Sequence, residues 1–292
     1  MDVSRNWGFV TAAEQERICS VKVAIAGTGG DGGLVAEHLA RLGVRHFALA
    51  DPERFEPENV NRQAGCDVTT IGRNKAEVIA DVIRRIAPES RVDVYPDGIS
   101  PECVREFVAG AAVVVDETEY TRPHLSLMLA RAARPAGIPV VSGLNAGFGA
   151  MVTCFRPGGM TLERYLGLPP DITIEAASTV ELPLRRWVVR LPSYGDERGL
   201  RVLASGAVSA PSVAPGVALA AGLVGTEVFN LLTGRRAPVA APRTLVVDAL
   251  EMKLRVVRFR SLAYYASLAH LVARSRLGRN PRVTPPVAVG PS

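Results

Sequence analysis

A glycine-rich turn at residues 27–32 constrains the fold of this sequence more than any other feature. It follows the apolar, β-branched segment VKVAIA (21–26) and precedes LVAEHLARLG (34–43), in which apolar residues repeat with helical spacing as far as Gly43. The order is therefore a strand, a tight turn and a helix. Such a unit buries its strand in a sheet and leaves the turn at the sheet edge, which is typical of α/β folds.

The alternation of strands and helices continues along the first half of the chain. Further strands are predicted at VRHFALAD (44–51), RVDVYP (91–96), AAVVVDE (111–117) and IPVVSG (138–143), with helices at RNKAEVIADVIRRIAP (73–88) and PHLSLMLARAARPAG (123–137). Apolar strands that alternate with helices favour a parallel sheet covered on both faces. The predicted fold class is α/β, with a doubly wound, Rossmann-like and mostly parallel sheet.

The regular alternation of strands and helices ends after Gly143. GAMVTCFRPGG (149–159) is typical of a strand, whereas residues 157–206 have no clean period and contain several prolines and glycines. A long irregular connection of this kind is usually functional or mobile. A helix at 216–233, strands at TLVVDA (244–249) and KLRVVRF (253–259) and a helix at about 261–277 are predicted next. We expect one domain over residues 1–278 and a flexible, basic, proline-rich tail at 279–292.

Composition excludes several classes of protein. A chain of 292 residues with 48% hydrophobic residues can bury a substantial core, which excludes a mainly disordered protein. The four cysteines stand alone, so neither a disulfide framework nor a zinc clip is encoded, and a reducing cytoplasm is the expected compartment. The uncharged stretch from Ala207 to Thr226 has the length of a membrane span, but its prolines and glycines favour a buried helix of a soluble protein.

The net charge of +5 is unevenly distributed along the chain. No Asp or Glu follows Glu251, whereas Lys253 and seven arginines do. No nucleic-acid motif and little aromatic interleaving accompany these charges, so nucleic acid is an unlikely partner and a solvated basic face is the expectation.

The glycine turn has the composition of a phosphate-binding loop. Glycines at 27, 29, 30 and 32 give the pattern G-x-G-G-x-G, in which missing side chains let backbone N–H groups approach a phosphate at a helix N-terminus. Asp51 ends the second strand 24 residues after Gly27, the position at which such folds present a carboxylate to a ribose. Together they indicate an adenine nucleotide and leave NAD and ATP both open.

The segment after Asp51 separates these two ligands. It contains Asn59, Arg62 and Gln63 in the sequence NVNRQ, and Lys75 follows thirteen residues after Arg62. A fold that holds the diphosphate of NAD on its glycine loop needs no such cluster, whereas a triphosphate cleaved between its α and β phosphates does. The cluster therefore favours ATP.

With these four features the chain resembles the ThiF, MoeB and HesA family, the bacterial relatives of ubiquitin-activating enzymes. The features are the glycine loop, Asp51, the N-x-x-R-Q sequence and Lys75 at the family's spacing. The similarity continues through VVVDETEYTRPHL and SAPSVAPGVALAAGLVGTEVFNLLTG (residues 113–125 and 209–234) and so covers nearly the whole chain. The resemblance implies ATP- and magnesium-dependent adenylation of a carboxylate, with release of pyrophosphate, usually by a homodimer.

The resemblance also implies roles for particular residues. The glycine loop would hold phosphates, Asp51 the ribose, and Asn59, Arg62 and Lys75 the phosphate chain. Gln63 either binds phosphate or shapes the loop. Arg5 resembles the family's N-terminal arginine, which reaches into the partner's site; its alternative is an exposed surface residue. Lys75, considered alone, would be a solvated residue in the first turn of a helix.

The sequence departs from the family in the metal-binding segment. The family commonly has D-x-T-D-N after its fourth strand, and this chain has Asp116, Thr118, Glu119 and Tyr120 in the sequence DETEY. Magnesium is therefore expected on Glu119 or on Asp116, because a hard cation prefers carboxylate oxygen. Either carboxylate could instead cap the following helix.

The sequence leaves alternatives for the role of the cysteines, for the carboxylate substrate and for the function itself. Residues 157–206 resemble the family's crossover loop and contain no cysteine, so we expect direct attack on the activated carboxylate by an external nucleophile. Cys66 is the possible exception, since nearby Arg62 and Lys75 would lower the pKa of its thiol. The carboxylate, for example a peptide or carrier-protein C-terminus, is not identified by the sequence. The rival functions are an NAD-dependent oxidoreductase and a non-catalytic binding scaffold.

Overall fold

One eight-stranded sheet organises the chain. The computed structural model describes residues 2–182, 186–190, 192, 194–195 and 211–259. The strands are β1 (Lys22–Ala26), β2 (His46–Ala50), β3 (Arg91–Tyr95), β4 (Ala111–Asp116), β5 (Val140–Ala146), β6 (Gly149–Phe155), β7 (Arg243–Asp248) and β8 (Lys253–Arg258). Their order is 3-2-1-4-5-6-7-8. Strands β1 to β5 are parallel and β6 to β8 are antiparallel to their neighbours, which confirms the predicted mostly parallel, doubly wound sheet.

Helices cover both faces of the sheet. They are α1 (Ala12–Ser20), α2 (Gly30–Leu42), α3 (Lys75–Ile86), α4 (Val104–Val108), α5 (Pro123–Ala133), α6 (Leu162–Leu166), α7 (Ile174–Ser178) and α8 (Ala214–Thr233). Alternate residues of β1 belong to two different cores: Val23 and Ile25 pack with α2, α3 and α8, whereas Ala24 and Ala26 pack with α4 and α5. The period of two along a strand thus divides the apolar residues between the two faces.

The irregular region holds more structure than its sequence indicates. Helices α6 and α7 lie within residues 157–206, and each begins after a threonine, Thr161 or Thr173, whose hydroxyl accepts a hydrogen bond from the backbone N–H three residues on. Helices of five residues are too short to show a period, so capping rather than periodicity marks them. The helix expected at about 261–277 and the tail at 279–292 lie outside the described residues, as do 196–210.

Helix α8 is a core helix of this fold. It is the one helix among the described residues that is long and apolar enough to cross a membrane by length and composition. It packs on α2, β5 and β6, and it buries Glu227 and Asn230 among its apolar residues. The Glu227 carboxylate pairs with Arg236 and accepts a hydrogen bond from the Val239 N–H. Its packing agrees with the expected buried helix.

The sheet topology leaves a crevice at the carboxyl ends of β1 and β4. The chain crosses from β1 to β2 and β3 on one side and returns to β4 on the other, so the connections diverge between these two strands. The glycine turn lies there, with α2 very close to the end of β1. A Cβ atom on Gly32 would lie 1.9 Å from the carbonyl oxygen of Gly27, and Gly27 has a φ of +84°. Glycine is therefore required at both positions.

We predict that Gly32→Ala lowers the free energy of unfolding by about 3 kcal/mol, because the added methyl group must displace a backbone carbonyl in a packed core. Gly158→Ala is the matched control: nothing lies within 4 Å of the added atom there, and its effect should stay within about 0.5 kcal/mol. Urea unfolding of both variants measures the difference. Equal stabilities would contradict the close packing of α2 on β1.

Candidate functional site

A cavity of about 950 Å³ opens at the carboxyl ends of β1, β2 and β4. It gathers residues from separate parts of the chain: the glycine turn, the segment between β2 and α3, the segments after β3 and after β4, the carboxyl end of β5, and Ser212 just before α8. The predicted site residues that line it are Gly27, Gly29, Gly30, Gly32, Asp51, Asn59, Arg62, Gln63, Lys75 and Glu119. Ten residues selected from sequence patterns thus share one cavity.

Asp51 braces the glycine turn. Its carboxylate accepts hydrogen bonds from the Thr28 N–H at 2.7 Å and from the Glu53 N–H at 2.9 Å, one on each oxygen. Burial raises the pKa of Asp51, although these two hydrogen bonds and the charge of Lys75 oppose the rise. The carboxylate therefore fixes the shape of the turn, and its remaining lone pairs face the cavity that it lines.

Lys75 is buried, contrary to the solvated alternative. It is the first residue of α3, is 5% exposed, and its Nζ donates a hydrogen bond to Glu53 Oε2 at 2.7 Å. Asn74 fixes this helix start, since its Oδ1 accepts from the Glu77 N–H and its Nδ2 donates to the Asp51 carbonyl. A cation at a helix N-terminus opposes the helix dipole. The ion pair with Glu53 offsets the cost of burying this cation.

Arg62 provides a second cation. Its Nη1 donates to the Glu58 carbonyl at 3.1 Å and to Asn61 Oδ1 at 2.9 Å. Within the part of the chain that the structure describes, no carboxylate oxygen lies within 4.0 Å of its guanidinium. The guanidinium therefore keeps donors for a ligand in the cavity.

The N-x-x-R-Q sequence forms one compact turn. Asn59 is 4% exposed, its Oδ1 accepts from the Glu56 N–H, and its carbonyl accepts from the N–H groups of Arg62 and Gln63. Gln63 Oε1 is buried without a hydrogen-bond partner, beside Gly29. A buried polar atom without a partner is costly unless a ligand satisfies it. Asn59 therefore shapes the turn, and Gln63 is directed at the glycine loop.

The segment after β4 separates the two candidate metal ligands. Asp116 is 5% exposed, accepts hydrogen bonds from the Thr118 N–H and hydroxyl at 3.1 and 2.7 Å, and is absent from the cavity lining. Glu119 is exposed and lines the cavity. No group of three His, Cys, Asp or Glu side chains suited to a metal occurs among the described residues. Magnesium sites need fewer, because Mg²⁺ keeps several waters and commonly uses one or two carboxylates together with phosphate.

Two acidic residues were missed by the sequence reasoning. Asp31, in the glycine turn, accepts hydrogen bonds from the Asn145 N–H and Nδ2, and Glu117 Oε1 accepts from the Gly143 N–H at 3.1 Å. Both carboxylates line the cavity beside β5. Burial raises the pKa of Asp31 to about 6 and that of Glu117 well above its usual value. Asp31 occupies an x position of the pattern G-x-G-G-x-G, and a charged residue inside a glycine loop is the sequence signal that indicates it.

Arg5 and Cys66 lie differently from the other expected residues. Arg5 is exposed in a 3₁₀ turn (Ser4–Asn6) and is absent from the cavity lining of its own chain. Cys66 is 9% exposed and packs with Phe55 and Val78. Burial raises the pKa of its thiol, and this outweighs the nearby cations. The expectation of a lowered thiol pKa at Cys66 was therefore wrong.

We predict that Asp31→Asn becomes progressively more stable than the wild type as the pH rises from 4 to 7. The raised pKa means that the folded state holds this proton more tightly than the unfolded chain. The Asp31 contribution is therefore fully present below pH 4 and is lost as the pH rises to about 6. The difference in unfolding free energy should grow by up to about 3 kcal/mol over this range.

Asp67→Asn is the control for this measurement. Asp67 is exposed and Thr69 donates to its carboxylate, which lowers its pKa, so this variant should show no such rise. Urea unfolding at several pH values gives both curves. A pH-independent difference between Asp31→Asn and the wild type would show that Asp31 is ionised normally.

Comparison with known proteins agrees with the fold. The ThiF family model matches residues 2–264. The chain is 36% identical over 126 residues to the tRNA threonylcarbamoyladenosine dehydratase of Escherichia coli K12, covering 43% of this chain and 46% of that protein. It is 26% identical over 249 residues to the probable adenylyltransferase/sulfurtransferase MoeZ of Mycobacterium tuberculosis, covering 84% and 56%. The chain thus spans about half the length of these relatives.

A solved structure shares the fold. The crystal structure of E. coli MccB with ATP superposes with a TM-score of 0.62 at 19% identity, covering 84% of this chain and 66% of that one. The family match covers 263 of the 292 residues (2–264). This chain belongs to the ThiF family.

Proposed function

We propose that this protein is an ATP-dependent adenylyltransferase that activates a carboxylate as an acyl-adenylate and releases pyrophosphate. The observation that carries this proposal is the buried Lys75, which lines the same cavity as the glycine turn and Arg62. ATP supplies the electrophilic α-phosphorus and the pyrophosphate leaving group. A carboxylate oxygen bonds to that phosphorus as the bond to pyrophosphate breaks.

The residues of the cavity fit a nucleoside triphosphate. The glycine turn leaves a surface without side chains, and the Gln63 amide lies beside Gly29 at this surface. Asp51 follows directly after β2, where the hydroxyl groups of a ribose would donate hydrogen bonds to its carboxylate. Lys75 and Arg62 line the same cavity and contribute two positive charges to it. The arrangement supports a nucleotide whose ribose lies at Asp51 and whose phosphates run towards the two cations.

Electrostatics would supply most of the rate enhancement. Lys75 would exchange part of its contact with Glu53 for phosphate oxygens, and Arg62 would offer its free N–H groups to charge that develops as pyrophosphate leaves. Glu119 would hold magnesium in preference to Asp116, since the Asp116 carboxylate is buried against Thr118. The protein would otherwise act by alignment of the two reactants.

The NAD alternative is less well supported by this cavity. NAD carries a diphosphate that the glycine turn alone can hold, and it gives no reason to bury a lysine at a helix N-terminus. A non-catalytic scaffold would leave Lys75 and Arg62 only their contacts with Glu53, Glu58 and Asn61. Measurements of nucleotide binding distinguish both alternatives from the proposed adenylyltransferase.

The acyl acceptor is proposed to attack directly. Cys66 and Cys154 are buried, and burial raises the pKa of both thiols, that of Cys154 to about 12. A thiol held in its protonated form is a poor nucleophile.

The carboxylate would belong to a peptide or carrier-protein C-terminus, or to a small acid. The reaction would take place in the reducing cytoplasm.

A homodimer is part of the proposal. The face of α8 turned away from the sheet exposes small residues, among them Ala218, Gly222 and Thr226, which permit close packing of a second copy. Arg5 is exposed and outside the cavity of its own chain, as a residue that completes the partner's site must be. A two-fold interface would bury the same patch on both subunits.

We predict that Lys75→Ala and Arg62→Ala each reduce the rate of ATP–pyrophosphate exchange about a hundredfold or more. Each change removes a charge-assisted contact worth roughly 2 to 4 kcal/mol in the transition state. The assay is exchange of labelled pyrophosphate into ATP, screened across amino acids, peptides and carrier-protein tails.

Arg73→Ala is the matched control for these variants. Arg73 lies two residues before Lys75 and pairs on the surface with Asp81 at 2.7 Å, outside the cavity lining. Its exchange rate should equal that of the wild type. Near-normal exchange in both cavity variants would refute their assignment to the triphosphate.

We predict that Glu119→Gln raises the magnesium concentration needed for half-maximal exchange, because an amide is a weaker ligand for Mg²⁺ than a carboxylate. Asp116→Asn should instead lower stability without changing the magnesium dependence, because it disturbs the contact with Thr118. A magnesium titration of both variants separates the two carboxylates. An unchanged titration for Glu119→Gln would exclude Glu119 as a ligand.

A further inference from the structure

A continuous chain of hydrogen bonds borders the cavity from the glycine turn to Arg62. It joins residues from four separate segments: Asp31 in the glycine turn, Asn145 at the carboxyl end of β5, Ser212 just before α8, and Asn61 in the N-x-x-R-Q turn. Nothing in the proposed chemistry uses these side chains directly. The role of these hydrogen-bonded side chains therefore needs a separate explanation.

The first link joins the glycine turn to β5. The Asn145 backbone N–H donates to Asp31 Oδ2 at 3.2 Å, and Asn145 Nδ2 lies 3.0 and 2.9 Å from the two carboxylate oxygens. Asp31 is 9% exposed. A buried carboxylate is costly unless hydrogen bonds satisfy it, so this link fixes the orientation of the Asn145 amide, with Nδ2 towards Asp31 and Oδ1 away from it.

The second link reaches the segment before α8. Ser212 Oγ donates to the free Asn145 Oδ1 at 2.7 Å, and residues 147 and 212 form an isolated β-bridge beside it. Asp31 thus decides which atom of Asn145 is offered to Ser212. The start of α8 is held against β5 by a side chain that the glycine turn orients.

The third link ends at the catalytic cation. Asn61 Nδ2 donates to the Ser212 carbonyl at 3.4 Å, a solvent-exposed contact longer than a typical N–H···O hydrogen bond, and Asn61 Oδ1 accepts from Arg62 Nη1 at 2.9 Å. Asn61, like Asn145, is oriented by two neighbours: its Nδ2 donates a hydrogen bond to one of them and its Oδ1 accepts a hydrogen bond from the other. The guanidinium of Arg62 lies close enough to Asp31 for its charge to act on that carboxylate.

We propose that Asp31, Asn145, Ser212 and Asn61 form a positioning chain that fixes the guanidinium of Arg62 at the phosphate end of the cavity and joins its orientation to the segment before α8. The proposal rests on the role of Arg62 in the proposed function. These four are positioning residues, because Arg62 rather than any of them would contact the nucleotide. The segment that leads into α8 would thereby influence the reaction without touching the reacting atoms.

The first experiment measures kinetics with mild variants. Ser212→Ala and Asn61→Ala should each lower kcat for ATP–pyrophosphate exchange about tenfold and change the KM for ATP less than twofold, because Arg62 remains present but loses its fixed orientation. Adding either change to Arg62→Ala should cause no further loss, since residues that act through one group are not additive. Ser178→Ala is the control, as its hydroxyl contacts the Glu175 carbonyl on exposed α7. It should behave as the wild type.

The second experiment uses the free protein and needs no activity. Hydrogen–deuterium exchange of the amides at residues 61–63 should become faster in Ser212→Ala and in Asn145→Ala, whereas residues 74–80 of α3 should be unchanged. Ser212 lies 151 residues from Asn61 in sequence, so a change at 61–63 would be transmitted through the tertiary contact between these two residues.

The two experiments separate this proposal from the proposed function. Wild-type amide exchange at 61–63 in Ser212→Ala overturns the positioning chain whatever the enzymatic result. A wild-type kcat in Ser212→Ala, with Arg62→Ala inactive, overturns it as well and leaves the proposed function standing. Full activity in Arg62→Ala overturns the role of Arg62, while faster amide exchange in Ser212→Ala would still support the hydrogen-bonded chain.

Discussion

The close approach of α2 to the carboxyl end of β1 is the constraint on which the rest of the structure depends. The Gly27 carbonyl lies where a side chain on Gly32 would begin, so the first turn of the helix rests directly on the strand end. This contact brings the helix N-terminus and its free N–H groups to the sheet edge. Asp51 then holds the turn from the neighbouring strand through the Thr28 N–H.

Two cations and two buried carboxylates line different parts of the cavity that this contact opens. Lys75 and Arg62 come from the segment between β2 and α3, whereas Asp31 and Glu117 lie against the end of β5. Lys75 is buried at a helix start that disfavours it, and the two acids are buried at raised pKa. Each is costly for folding alone, and such costs concentrate at functional sites.

Local patterns predicted the fold and ten of the 31 residues that line the cavity. The strand and helix periods and the glycine turn placed β1 to β8, and the spacing from Gly27 to Asp51 to Lys75 brought ten lining residues together. Side-chain partners were not predictable in this way. The pairing of Lys75 with Glu53, the burial of Cys66 and the contact of Asp31 with Asn145, 114 residues away, depend on tertiary packing.

Equilibrium binding of ATP, AMP and NAD to the wild type and to Lys75→Ala tests the central claim most directly, because it needs no knowledge of the carboxylate. Our account predicts that the wild type binds ATP more tightly than NAD, and that Lys75→Ala weakens ATP binding at least tenfold more than AMP binding. Tighter binding of NAD than of ATP, or an equal effect of Lys75→Ala on ATP and AMP, would contradict it.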